Sequence, residues 1–180
     1  MDLQITQAIN ALSGYSALLD QTMVEATIFG VPFMVLLVIL QWWSKKPRDH
    51  KRHTCVAAGL SFLLGLAAAQ IMLLFIHRIR PYDAGISHLI VPRTVDWSFP
   101  SDHAIASLAI VFAFALQGLR RWSFIFLTLA ALVCVSRIYV GMHYASDILG
   151  GAGVALLAAY AVKKLYREGT KLDRFVVGIL

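Results

Sequence analysis

Trp97-Ser98-Phe99-Pro100-Ser101-Asp102-His103 closes a polar loop and opens an apolar run at Ala104. Proline ahead of serine and aspartate is how a helix begins. Ser101 or Asp102 can act as the N-cap, and the first backbone N–H groups stay free behind it. Those N–H groups and the helix dipole attract anions. His103 sets a titratable imidazole beside that point. The stretch therefore places a helix start, and a site for a phosphate, in the middle of the chain.

Around it the sequence is too apolar for an ordinary water-soluble domain. Of 180 residues, 59% are hydrophobic and only 14% are charged, which sets the chain apart from typical soluble composition. Several apolar runs are long enough to cross a bilayer, so the expected class is all-α, a polytopic transmembrane helix bundle in a single domain. The net charge of +6 does not point to nucleic acid, because the cations flank apolar runs and form no basic face. Cys55 and Cys134 lie at or within the expected spans, so a structural disulfide is not expected. No basic segment precedes the first apolar run, so no cleavable signal peptide is expected.

Residues 1–20 read as a short amphipathic helix in the membrane interface, with Ile5, Ile9, Leu12 and Tyr15 at helical spacing and Asp20 capping the first span. About five spans are expected over 21–166: Gln21 to Trp43, Thr54 to Ile76, Asp102 to Gly118, Trp122 to Ile138 and Asp147 to Tyr166. A basic tail, 167–180, ends the chain. Lys45, Lys46, Arg48, Lys51 and Arg52 come after the first span, and Arg120 and Arg121 after the third. With Lys163, Lys164, Arg167, Lys171 and Arg174 at the end, these make twelve of the sixteen Lys and Arg residues; the other four are Arg78, Arg80, Arg93 and Arg137. Five alternating spans put all twelve on one side, which the positive-inside rule makes cytoplasmic. The loop 77–102 and the segment 137–147 then share the outer face.

Three polar clusters meet on that face: His77-Arg78-Ile79-Arg80-Pro81, Pro100-Ser101-Asp102-His103, and Ser136-Arg137 followed by His143 and Asp147. Ionisable groups at span ends are costly unless paired or hydrated, so they are functional candidates. Arginine suits phosphate because its planar fork donates paired hydrogen bonds and keeps its charge. His143 and Asp147 share a face if their helix begins by His143. A carboxylate on one imidazole nitrogen fixes the tautomer and frees the other to attack, while His103 can act as general acid. Taken singly, each group has a plainer reading: Arg80 as an interfacial anchor, His103 as a capping residue, Asp147 as a helix cap. His77 and His88 read as loop residues, Arg93 and Asp96 as a solvated loop pair, and Glu25 as a span-end interface residue. No Asp, Glu or His cluster has convincing metal-ligand spacing.

Together the clusters resemble the type 2 phosphatidic acid phosphatase superfamily, the integral membrane lipid phosphatases. That family carries Lys, six residues, Arg-Pro; then Pro-Ser-Gly-His; then Ser-Arg, five residues, His, three residues, Asp. The third motif is complete here as Ser136, Arg137, His143 and Asp147. The second has Asp102 in place of glycine. The first keeps Arg80-Pro81 but has Leu73 where lysine is expected, and Arg78 is a candidate replacement. The Ser-Asp-His variant looks like the bacterial branch that dephosphorylates undecaprenyl diphosphate.

The resemblance implies a hydrolase that needs no metal or other cofactor. His143 would be the nucleophile and form a phosphohistidine, Asp147 its orienter and His103 the acid. Arg80, Ser101, Arg137 and Arg78 would hold the phosphate. The implied substrate is a polyprenyl diphosphate at the outer face of a bacterial inner membrane; phosphatidic acid or phosphatidylglycerol phosphate is the alternative. A non-catalytic carrier or flippase for the same anion is the rival of another class. The His143–Asp147 pair argues against it, since binding alone needs cations and no nucleophile. Asp102 has no role beyond backbone capping.

Overall fold

The computed structural model describes residues 1–44 and 47–179. It is all-helical: α1 Asp2–Asn10, α2 Ala17–Gln41, α3 Arg48–Leu73, α4 Asp102–Leu116, α5 Arg120–Tyr139, α6 Ala145–Leu165 and α7 Lys171–Val177. No strand occurs among the described residues. Four helices, α2, α3, α5 and α6, are long and apolar enough to cross a membrane. The fifth apolar helix, α4, has 15 residues, about 22 Å at 1.5 Å per residue.

Helix α4 forms the centre, packed by α3, α5, α6 and α2. Its Ala104, Ile105, Ala109 and Phe114 are fully buried. Lipid gives little hydrophobic drive for helix association, so close fit of small residues does the work. Gly151 of α6 illustrates this: a Cβ there would lie 2.9 Å from Ala104 Cβ and from the Ser101 carbonyl oxygen. The start of α4 and the first turns of α6 are thus in backbone contact, which brings the second and third motifs together. Toward the other end, Phe114 and Phe126 pack at 4.8 Å between ring centres.

The helix bounds differ from the sequence reading in informative ways. Helix α1 ends at Asn10, and Ser16, not Asp20, caps α2, accepting from the Leu19 N–H at 3.4 Å. Asp20 instead accepts from the Gly14 N–H and from the Tyr139 hydroxyl at 2.6 Å. Helix α3 begins at Arg48, well before Thr54, because its polar first turns have partners. Arg52 donates to the Trp42 and Val177 carbonyls, and His53 pairs with Asp173 at 2.8 Å. The basic tail contributes that partner by folding as α7, where Asp173 also accepts from Tyr166 at 2.6 Å.

The two ends of the bundle are chemically distinct. The α2–α3, α4–α5 and C-terminal segments share one end: His50 contacts both Glu168 and the Gln117 carbonyl, and Lys163 donates to the Leu116 carbonyl. Lys45 and Lys46, counted among the basic residues of that end, lie outside the described residues. The segment 74–101, the 140–144 turn and α1 share the opposite end.

Candidate active site

Each helix end delivers one part of the site. Gly141, at φ +86°, turns the chain after α5 in a conformation that suits glycine, and a Cβ there would run into the His88 carbonyl. That turn presents His143 just ahead of α6. Helix α6 starts at Ala145, so His143 lies two residues before it, yet its Nδ1 is still 3.5 Å from Asp147 Oδ2.

The nearer partner of Nδ1 is the Ser98 carbonyl, at 2.8 Å. A carbonyl only accepts, so Nδ1 carries the proton. The other ring nitrogen, Nε2, faces Arg80 Nη1 at 3.3 Å. Arginine only donates, so Nε2 keeps its lone pair. Burial pushes the His143 imidazole down to about 4, against the opposing pull of the Asp147 carboxylate. The ring is therefore neutral near pH 7, with Nε2 as its free basic atom. The motif points to Asp147 alone as the group that sets the tautomer; Ser98 shares the task, and no motif marks it.

Ser98 is fully buried and ties three strands of the network together. Its N–H donates to the Arg78 carbonyl at 2.8 Å, its carbonyl takes the His143 proton, and its hydroxyl donates to Asp147 Oδ2 at 2.5 Å. Asp147 is itself fully buried and also accepts from the Tyr144 N–H at 2.9 Å, closing the cap of α6.

A cavity of about 140 Å³ opens in front of these groups, lined by Arg80, Asp96, Asp102, His103, Arg137 and His143 among others. Leu73, the residue at the family's lysine position, lines it too. Arg80 is buried and held from several sides: Nη1 donates to the Met142 carbonyl at 2.9 Å, Nε to the Asp96 carbonyl at 3.1 Å, and Nη2 meets Asp96 Oδ1 at 3.0 Å. Three buried polar atoms near the cavity lack a protein partner: Ser101 Oγ, Asp102 Oδ1 and Arg137 Nε. Unpaired buried donors are costly, and a hydroxyl and a guanidinium N–H left open beside two histidines are what a phosphate would satisfy. Ser101 is the N-cap of α4, but its side chain makes no cap bond, so its hydroxyl is free for another acceptor.

The structure thus brings His143, His103, Asp147, Arg80, Ser101 and Arg137 together. Arg78 stands apart from the phosphate-binding expectation. It does not line the cavity, and its donors are taken by Asp147 Oδ1 and Ser146 Oγ, both at 2.6 Å, and by Asp2 Oδ2 at 2.7 Å. Two carboxylates, that of Asp147 fully buried, already engage its guanidinium. Arg93 and Asp96 do not pair either: Arg93 bonds Asp83 at 2.6 Å, and Asp96 is drawn to Arg80.

A family model described as the PAP2 superfamily matches residues 54–171. The chain is 31% identical over 160 residues to undecaprenyl-diphosphatase BcrC of Bacillus subtilis (strain 168), across 89% of this chain and 81% of that one. Its fold resembles that of Aquifex aeolicus LpxE, with a TM-score of 0.73 at 21% identity over 91% of this chain and 94% of the other. It also resembles a transmembrane PAP2 type phosphatidylglycerolphosphate phosphatase from Bacillus subtilis, with a TM-score of 0.68 at 23% identity over 94% and 86%. The family model covers well over half of the chain, and this chain belongs to the PAP2 superfamily as a membrane-embedded hydrolase of phosphoric esters.

Proposed function

We propose that this enzyme hydrolyses a polyprenyl diphosphate, undecaprenyl diphosphate being the leading candidate, to the lipid monophosphate and inorganic phosphate. The observation that carries the reading is the His143 ring: proton on Nδ1, lone pair on Nε2, and Nε2 set at a phosphate-sized cavity under Arg80. Nε2 attacks the terminal phosphorus. The bond from phosphorus to the bridging oxygen breaks, and the lipid monophosphate departs with that electron pair and a proton from His103, which is left neutral. Water then attacks the phosphohistidine, gives a proton to His103, and phosphate leaves. Arg80, Arg137 and the Ser101 hydroxyl balance the charge on the transferring group. Likeness to BcrC supports the diphosphate as substrate. Hydrolysis of undecaprenyl diphosphate, phosphatidic acid and phosphatidylglycerol phosphate side by side in detergent tests it. A clear preference for either phospholipid overturns the assignment.

Arginine supplies the positive charge in this scheme, so activity survives EDTA. Among the described residues no three His, Cys, Asp or Glu side chains lie close enough to share a metal ion. Complete loss in EDTA, restored by magnesium, would transfer the role of the arginines to a cation.

The site faces the outside of a bacterial inner membrane, the periplasmic side, in this reading. The support is the segregation of basic segments to the opposite end. An impermeant thiol reagent on intact cells should label His88→Cys and spare Arg121→Cys, both exposed positions. The native Cys55 and Cys134 are buried and give little background. The reverse labelling pattern turns the site inward.

A further inference from the structure

Arg78 is the basic group closest to the reacting histidine that the phosphoryl-transfer scheme does not use. Its Nη1 lies 2.6 Å from Asp147 Oδ1, its Nη2 lies 2.7 Å from Asp2 Oδ2, and its guanidinium stacks 3.9 Å over the Tyr144 ring. Asp2 belongs to α1, far away in the chain. The same carboxylate accepts from the Ser146 N–H at 2.9 Å and the Ser146 hydroxyl at 2.6 Å. Thr6 of α1, fully buried, accepts from the Ala145 N–H at 3.1 Å. The first free N–H groups of α6 are thus capped by another helix, with an acid at the positive end of the α6 dipole.

We propose that Asp2 and Arg78 are positioning residues of the catalytic centre: α1, through Asp2, holds Arg78 against Asp147 and so fixes the carboxylate that orients His143. The proposal rests on His143 being the nucleophile. Asp147 is fully buried, and a buried carboxylate needs a counter-charge. With Arg78 in place, that demand is met on Oδ1, while Ser98 and the Tyr144 N–H occupy Oδ2. Without Arg78, the nearest group able to answer it is the His143 imidazole. An imidazole drawn fully onto Asp147 leaves the Ser98 carbonyl and turns Nε2 away from the cavity. Arg78 therefore serves the rate of attack and not the grip on phosphate.

The test is steady-state and quench kinetics on full-length enzyme in detergent, with a polyprenyl diphosphate as substrate and inorganic phosphate as competitive probe. Partners that orient metal-bound histidines from behind are typically worth about 10–100-fold, and the same scale is taken for this one. Arg78→Ala should lower kcat and the rate of phospho-enzyme formation by about that factor, with KM and phosphate inhibition nearly unchanged. Arg78→Lys should recover part of kcat, since lysine keeps a charge beside Asp147 but cannot bridge to Asp2. Asp2→Asn should lower kcat less than Arg78→Ala does, and adding it to Arg78→Ala should cost nothing more, because the chain is already cut. If Arg78→Ala does not accumulate, Arg78→Lys and Asp2→Asn carry the same comparison. Raised KM and weakened phosphate inhibition at unchanged kcat would make Arg78 a phosphate ligand and overturn the proposal, as would losses that multiply in the double variant. Wild-type enzyme with no phosphate on His143 removes the nucleophile reading first, and the relay with it, which separates the two failures.

Discussion

His143→Ala is expected to abolish turnover, by at least about 10⁴-fold, and to abolish acid-labile phosphate on the protein. The expectation comes from the atoms around the ring. Nδ1 is committed to the Ser98 carbonyl, and Nε2 is the free basic atom at the cavity, 3.3 Å from a donor that would also hold the incoming phosphate. No other side chain at the cavity offers a neutral nitrogen backed by a carboxylate. Asp147→Asn should slow the enzyme on every substrate, because it acts on the nucleophile before the leaving group matters. Rapid quench of enzyme with labelled diphosphate reads both variants. Phospho-enzyme that persists in His143→Ala, or that maps to His103, would reverse the two histidines.

The second large effect is selective. His103→Ala should slow phospho-enzyme formation far more with phosphatidic acid than with a polyprenyl diphosphate. A diphosphate releases a lipid monophosphate, stable as an anion, whereas an alkyl monophosphate releases an alkoxide that needs a proton as it leaves. General acid help is worth about 10²–10⁴-fold where the leaving group needs it. His103 is placed for that role, lining the same cavity as His143, Arg80 and Arg137. Phospho-enzyme should still form from the diphosphate in His103→Ala and then hydrolyse slowly, since water has lost its base. Equal slowing of phospho-enzyme formation with the two substrates would take the proton-donor role away from His103.

Hydropathy revealed the bundle because apolar runs separated by short polar turns leave few other folds. The third motif was legible because its residues are close in sequence, on the last turn of α5, the turn after it and the start of α6. What escaped is of another kind. Ser98 acts mainly through its backbone, and a carbonyl has no signature in a sequence. Asp2 and Thr6 lie on a helix whose Leu3 and Ile5 face outward while Thr6 and Asn10 face in. That is the reverse of the pattern by which helices are read in water, and it is favourable where the surroundings are lipid. Arg78 was legible as a functional cation but not as Asp147's partner, because its target depended on α1 arriving from the other end of the chain. Arg52 and His53 read as part of a loop because their partners Val177 and Asp173 come from α7, which itself reads as a tail.

The shortness of α4 has a consequence for how substrate is counted. Its 15 residues span about 22 Å, against a hydrocarbon layer of about 30 Å. The site also draws on the last turn of α5 and the first of α6, so the proposed chemistry lies at the ends of apolar helices, where a bilayer's headgroups begin. A substrate with a long hydrocarbon tail reaches it by moving sideways in the bilayer. Its effective concentration is a mole fraction in a two-dimensional sheet, and dilution with inert lipid or detergent slows the enzyme even when the number of substrate molecules per millilitre stays the same.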